Sequence, residues 1–596
     1  MAKKFNRSFA LSALTLVCLP SLSSCGNNAK DGVVLHVLNC EDYIDAGAEA
    51  EGFSIGDSEF SDVLTGFSDY IKAKEGKDVS IVYDTFDTNE TMYSSLKTGK
   101  TSYDLICPSD YMGQKMMKEG MLQPIDPDAN VPSYSEYVPD YLKNVMKSIK
   151  ADVNGDGIIS DEESFYNYSV GYMWGTLGLL YNPEKMASDK GISIEEVMAD
   201  MTKWDSAWDH KYYSEASIKD SMRDTYSMGV MHTFEEEIKS NLASSGLFDE
   251  NYELTGDWEE AVNNYNPLIT EIFNRSDEAS VAKVKEALMS LKQNIFGFEV
   301  DSGKEDMVKG LIGMNLAWSG DAVFSMDTAD GVGRRIYYSV PETGGNFWFD
   351  GWVMPKSCTG ENKEYALKFL DFLSTPEVAA ANMNYIGYTS FIAGDTILDL
   401  IRQWYDPRTD AMFVYQEDEG DYDYESRNEG MEEATYVSPD GGTSSWEEYA
   451  KEGDWDVVDL TYMFSGTLSD EVLEDYPSPL GDTPETNPYL FYSSEDMSGY
   501  TTFEYEGREY KAGRQFFAQY PPQDIIPKLA IMQDYGENNK YVLAMWQDVK
   551  SNNLPLAGVI VFAVILISVA VLATVIFVGK KRQHAVKVAR RKGLNR

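Results

Sequence analysis

At 596 residues the chain is too long for a single hydrophobic core and suits two or three domains. Its 98 acidic against 50 basic side chains give a formal net charge of -48, which argues against nucleic acid as a partner and for the attraction of cations. Five cysteines are too few to form the disulfide framework of a chain this size.

Lys3, Lys4 and Arg7 precede an apolar run from Phe9 to Leu19, followed by L-S-S-C at Leu22 to Cys25. This order resembles a bacterial lipoprotein signal, predicting a signal peptide over 1–24 and Cys25 as the lipidated first residue of the mature chain. Cys18 leaves with the signal, so Cys40, Cys107 and Cys358 remain, read as buried thiols with one bridge left open.

From Val33 short β-rich runs alternate with amphipathic helical ones. V-V-L-H-V-L predicts a strand, F-S-D-Y-I-K-A-K-E-G-K a helix ended by glycine, and D-V-S-I-V-Y-D the next strand. N-E-T-M-Y-S-S-L-K continues as helix, Y-D-L-I-C-P-S as strand and M-G-Q-K-M-M-K-E-G as helix. The rhythm is that of a parallel sheet covered by helices, where ligands bind beyond the carboxyl ends of the strands.

D-V-N-G-D-G-I-I-S-D-E-E, Asp152 to Glu163, has the spacing of a calcium loop. Asp152, Asn154, Asp156, the Ile158 carbonyl, Ser160 and Glu163 are the expected oxygen ligands, Gly157 makes the turn, and Ile159 packs the loop. A structural calcium ion is expected there, with no part in chemistry. Residues 402–508 carry a dense acidic stretch (Glu417 to Glu433) mixed with tyrosines, which predicts a partly ordered surface insertion. Near the end, 556–579 is free of charge and about 36 Å long as a helix, against a hydrocarbon core of about 30 Å. A transmembrane helix is expected, with the basic tail 580–596 cytoplasmic and the bulk of the chain extracellular at the cell membrane.

No H-E-x-x-H, G-x-S-x-G or C-x-x-C is present, so no enzyme is expected. G-G-N-F-W-F-D-G-W-V-M-P at 344 to 355 instead suits recognition of an organic cation. A protonated amine needs a carboxylate to accept its N–H groups and aromatic faces beside its methylenes. Trp348 and Asp350 supply both, two residues apart and hence on one side of a strand.

V-L-N-C-E-D-Y, Y-D-L-I-C-P-S-D-Y, K-E-G-M-L-Q-P-I-D, M-W-G-T-L-G-L-L-Y-N, N-L-A-W-S-G-D-A, the segment just quoted and Y-I-G-Y-T-S occur in this order. In this order the sequence resembles the bacterial spermidine/putrescine-binding proteins, substrate-binding components of polyamine ABC importers, over about residues 33 to 400 and weakly again over 515–549. The resemblance implies an α/β, two-lobed periplasmic-binding-protein-like fold (type II), here with the C-terminal transmembrane helix. Lobe 1 is expected at 25–139 and 347–401, and lobe 2 at 140–346 with a return at 509–550. It also implies a polyamine ligand and, as partners, a permease and its ATPase. Carried onto this sequence, the implied ligand contacts are Asp42, Tyr43, Ser109, Tyr111, Asp224, Trp318, Trp348, Asp350 and Tyr388. Two positions depart from the pattern: Cys40 stands where a ring is usual, and Ser221 where a second carboxylate is usual. Ser221 weakens the expectation of a long triamine and favours a diamine such as putrescine. A surface adhesion protein on the same fold, or a receptor for another cationic solute, are the alternatives.

Overall fold

The computed structural model describes residues 32–551 except 48, 49, 51, 100, 331, 406–434, 438–442, 446–455, 477–480, 485, 494–502, 506, 507 and 511–513. Strand β1 (Val33–Cys40) lies between β2 (Val79–Phe86) and β3 (Leu105–Ile106), parallel to both. Helix α1 (Val63–Glu75) makes the crossover from β1 to β2. Asp62 starts it by accepting a hydrogen bond from the Thr65 amide, and Gly76 ends it in the left-handed region at φ 70°. Helices α2 (Asn89–Lys97) and α3 (Asp110–Lys118) follow β2 and β3. The alternation read from the sequence is thus the observed order.

Two long strands join the halves. β4 (Ser169–Tyr181) is buried at all 13 positions, as its apolar, glycine-spaced sequence without alternation demands. Further along come β5 (Ala216–Lys219), helix α4 (Met222–Thr233), helix α5 (Glu278–Asn294), β6 (Gly297–Glu299), β7 (Met314–Trp318), helix α6 (Ser319–Asp330), β8 (Tyr337–Ser339), β9 (Gly345–Val353), β10 (Thr389–Ser390) and β11 (Leu529–Ile531). The sheet order is β2-β1-β3-β9-β4-β7-β5-β6, with β8 and β10 also on β4 and β11 on β9. β4 pairs antiparallel with β9 from Ser169 to Leu177 and with β7 from Leu177 to Tyr181. It therefore crosses from a first lobe, β2-β1-β3, to a second, β7-β5-β6. The result is a two-lobed α/β fold. A main core runs from Val33 to Ile531, and a smaller one gathers Leu180, Met307, Ala317 and Met326 under the second lobe.

Part of the 402–508 stretch joins this body. Asp456–Asp459 pairs antiparallel with Leu490–Ser493, and Tyr462 is buried edge-on to Tyr141. The acidic stretch Glu417 to Glu433 lies outside the described residues.

The membrane-attached description is corrected. Among the described residues no helix is long and apolar enough to cross a membrane. The longest, α5, has 17 residues, about 26 Å, and carries Lys283, Lys285, Glu286 and Lys292. Over the described residues the fold class is a two-lobed α/β fold, with no transmembrane helix among them. Cell-membrane localisation, lipid attachment and a cytoplasmic tail have no support among the described residues. The segments on which they rested, 1–24, Cys25, 556–579 and 580–596, lie outside the described residues.

Candidate functional site

The loop after β1 turns on Asp42, at φ 50°, and sends Tyr43 inward. Its backbone is gripped there: the Tyr43 carbonyl accepts hydrogen bonds from Asn39 Nδ2 and from the Tyr172 hydroxyl, both at 3.0 Å. The Tyr43 hydroxyl donates to Asp350 Oδ2 at 2.7 Å. Its ring meets Tyr172 and Tyr388 edge-on, each with centroids 5.6 Å apart. Asp42 itself stays exposed, and its side chain makes no hydrogen bond among the described residues.

Asp350 and Trp348 come from β9, where the register with β4 shifts between Asp350 and Gly351. Such a bulge re-aims side chains on the bulged strand. Ser109, the residue before α3, bridges its backbone to Asp350 and is held by Asn89, whose Nδ2 donates to Ser109 Oγ at 2.9 Å. Trp348 donates through Nε1 to the Thr176 carbonyl at 3.1 Å and lies 5.3 Å from the Tyr388 ring. Two glycines make room for these rings. A Cβ at Gly175 would sit 2.7 Å from Trp348 Cζ2, and one at Gly320 would overlap the Tyr388 ring. Tyr388 is tied in turn to α6, its hydroxyl donating to Asp321 Oδ1 at 2.9 Å.

Asp350 is 7 % exposed. Burial pushes its carboxyl up to about 6, with hydrogen bonding from Ser109 and Tyr43 pulling the other way and Asp224, like in charge, pushing further. No cation contributes to its balance among the described residues. A buried carboxylate held by hydroxyl donors, walled by rings and lacking a cation is chemically incomplete.

Asp224 lies on α4, whose first turn is capped by Ser221: its Oγ accepts from the Asp224 amide at 3.3 Å. Trp318 Nε1 donates to Asp224 Oδ1 at 3.4 Å. Burial raises the Asp224 carboxyl above its ordinary range, and hydrogen bonds from Ser221 and Trp318 with the charges of Lys219 and Arg223 oppose that. Tyr111, from α3, packs against the same end, its ring 4.3 Å from the Arg223 guanidinium. The structure therefore brings together Tyr43, Trp348, Asp350 and Tyr388 directly, with Ser109 beside them, and Ser221, Asp224, Trp318 and Tyr111 as a second group. Asp42 joins neither.

Sequence reading missed several charged residues here, Asp110 among them: its Oδ2 is buried without a hydrogen-bond partner among the described residues, and burial first, then the charges of Asp350 and Asp224, push its carboxyl well up against the Tyr111 amide and Arg223. Lys219, at the end of β5, is 1 % exposed; its Nζ lies 3.2 Å from Asp321, 3.3 Å from Glu299 and 4.4 Å from the Trp318 ring centroid. Burial works against its charge, but Asp321 and Glu299 outweigh that and hold the ammonium above its ordinary value. Arg223 is buried, with Nη2 donating to the Gln533 carbonyl at 2.5 Å and Cζ 3.8 Å from the Tyr535 ring centroid. Asp321 follows the tryptophan in W-S-G-D-A; Arg223 sits inside D-S-M-R-D, so both were visible without their role being so.

The loop expected to take calcium lies between Lys150 and Ser164, which bridge backbone to backbone. Asp152 accepts from the Gly155 and Gly157 amides, Asn154 from Asp156, and Asp156 from Ile158. Glu163 closes the loop: Oε1 accepts from the Val153 and Asn154 amides, Oε2 from Ser160. These bonds, the Ser160 amide first, hold its carboxyl below the usual range. Ile158 and Ile159 are both exposed, so Ile159 does not pack the loop as expected. The donors suit an oxygen-loving ion in kind, yet among the described residues no three histidine, cysteine or acidic side chains converge on a metal position.

Two lobes crossed by shared strands, with aromatic walls around a buried acidic group, define a binding protein for a small solute. Residues 68–394 match the family described as bacterial extracellular solute-binding protein, and the chain belongs to that family. It is similar to the spermidine/putrescine-binding periplasmic protein of Salmonella typhimurium, 26% identical over 352 residues, covering 58% of this chain and 81% of that protein. It is also similar to the putrescine-binding periplasmic protein SpuD of Pseudomonas aeruginosa, 25% identical over 400 residues, covering 67% of this chain and 88% of that one. Among solved structures it is similar to the spermidine/putrescine transporter substrate-binding protein PotD of Streptococcus pneumoniae in complex with calcium and HEPES. That likeness has 25% identity and a TM-score of 0.40, covering 62% of this chain and 85% of that one.

Proposed function

We propose that the chain is an extracellular binding protein for polyamines, putrescine or spermidine, which delivers its ligand to the permease and ATPase of an ABC importer. It acts by binding, as its family does, with no bond broken. The observation that carries this reading is Asp350: buried, hydrogen-bonded by Tyr43, bordered by Trp348 and Tyr388, and without a cation. A ligand ammonium supplies the missing positive charge there, while its methylenes lie against the rings. Asp224, Trp318 and Tyr111 form the other end, with Ser109 and Ser221 as hydroxyl groups beside the two carboxylates. Lobe closure over the ligand is the step the permease reads. Calorimetric titration with putrescine and then spermidine tests this. Micromolar or tighter binding of either amine supports it, and no heat from either on folded protein refutes it.

A structural calcium ion in the 152–163 loop is a separate part of this reading, supported by the identity and spacing of Asp152, Asn154, Asp156, Ile158, Ser160 and Glu163. The side-chain oxygens that now accept the loop's own amides would turn toward the ion. It plays no part in ligand recognition.

A further inference from the structure

Asp110 opens α3 between two residues that serve opposite ends of the cleft. Ser109 before it bridges its backbone to Asp350, and Tyr111 after it packs its ring against Arg223, the neighbour of Asp224. The Asp110 side chain is 1 % exposed. One of its oxygens has a local task, Oδ1 accepting from the Tyr111 amide at 2.5 Å in the first turn of the helix. The other, Oδ2, is buried with no hydrogen-bond partner among the described residues. Such an oxygen costs stability until a donor reaches it. The charged groups that act on it are Asp350 on β9, and Asp224 and Arg223 on α4. Arg223 gives Oδ2 no hydrogen bond, since it donates to the Gln533 carbonyl and lies against the Tyr111 and Tyr535 rings. Glu90 on α2 accepts from the Tyr111 hydroxyl at 3.1 Å. Further into the second lobe, Lys219, Lys304, Glu299 and Asp321 pair among themselves.

We propose that Asp110 is a further ligand-binding and specificity-determining residue, its Oδ2 accepting an N–H from the inner ammonium of a triamine. This rests on the amine-binding reading given above. A triamine that spans Asp350 and Asp224 carries its third nitrogen between them, where Asp110 stands. A diamine presents only methylenes there and leaves Asp110 as it is. Charge follows the same pattern. In the free cleft burial, and then the like charges of Asp350 and Asp224, make Asp110 hold its proton more tightly than an ordinary carboxyl, against the Tyr111 amide and Arg223. A third ammonium beside Oδ2 favours the charged form, and the proton leaves to solvent. Spermidine with Asp110 ionised then gives the cleft the same net charge as putrescine with Asp110 neutral. One site thereby takes two ligands that differ by a unit of charge. Ser221 removes a carboxylate from the Asp224 end, and Asp110 supplies one between the ends.

The test is calorimetry with putrescine and with spermidine at about pH 6, in two buffers of different ionisation enthalpy, on the wild-type chain and Asp110→Asn. Both amines are protonated there, so any proton released comes from the protein. In the wild type spermidine should release up to about one proton more per ligand than putrescine. Asp110→Asn keeps an oxygen for the Tyr111 amide. In it that excess should vanish, and the spermidine-to-putrescine ratio of dissociation constants should rise at least about tenfold. A purely structural role for Asp110 at the helix start would weaken both amines together and leave their proton release equal. Equal release from the wild type, with both amines bound, overturns the assignment of Asp110, and that measurement depends on no variant folding. A wild type that binds putrescine and not spermidine overturns it too. Failure of the folded wild type to bind either amine overturns the receptor reading, and the inference with it.

Discussion

Asp350 and Asp224 are both buried carboxylates in the proposed cleft, and they keep different company. Asp350 receives a tyrosine hydroxyl and feels no cation, whereas Asp224 shares its end with Lys219 and Arg223. Burial alone therefore does not make an ammonium site. What matters is whether the desolvated charge has already been balanced by the protein. At Asp350 it has not, so the ligand completes the structure. At Asp224 Lys219 and Arg223 offset part of the burial cost without cancelling it, so the ligand adds less.

The largest effect that sharpens this contrast is on affinity. Asp350→Asn is expected to weaken putrescine binding by about tenfold to a hundredfold, since a hydrogen bond to a charged group is worth about 1.5–3 kcal/mol. Asp224→Asn should weaken it by about threefold, and equal losses in the two variants would break the comparison. The same pair separates by stability. Removing an unbalanced buried charge relieves a cost, so Asp350→Asn should raise the Tm of the ligand-free protein. Asp224→Asn should raise it less, because Lys219 and Arg223 already offset part of the burial cost there.

The next effect is on pH. A carboxyl raised to about 6 is neutral below that pH and charged above it, so amine affinity should be full above pH 7 and fall as the pH drops through 6. Between pH 7 and 5 the charged fraction, and with it the affinity, should fall about tenfold. Tyr43→Phe removes a donor that holds the charged form, so in that variant the fall should be centred at a higher pH. The smallest effect concerns the 152–163 loop. Calcium should raise the Tm of the wild type and leave that of Glu163→Gln unmoved, without altering amine affinity in either.

Much of this was legible in the sequence because it depends on local pattern. The strand and helix alternation from Val33 to Lys118 follows from apolar spacing and from stop signals such as Gly76. Trp348 and Asp350 stand two apart on one strand, so their shared side could be read directly. The charge balance of the cleft could not. Lys219 ends a short strand and looks like a surface residue, and only the topology brings it to Asp321 and Glu299, 102 and 80 residues further along respectively. Asp42 stands apart from the two groups for a local reason: the turn at φ 50° leaves it outward while its neighbour Tyr43 is pulled in by Asn39 and Tyr172. The transmembrane expectation rested on hydropathy in residues that lie outside those described, while the described helices are short or charged.

The most direct test of Asp350 as the ammonium acceptor is proton release on binding. At pH 6 about half of the Asp350 side chains carry a proton in the free protein, and an arriving ammonium favours the charged form. Calorimetry with putrescine at pH 6, in two buffers of different ionisation enthalpy, should therefore show release of about half a proton per ligand. Asp350→Asn should show none. Tight binding in the wild type with no proton released would contradict the account.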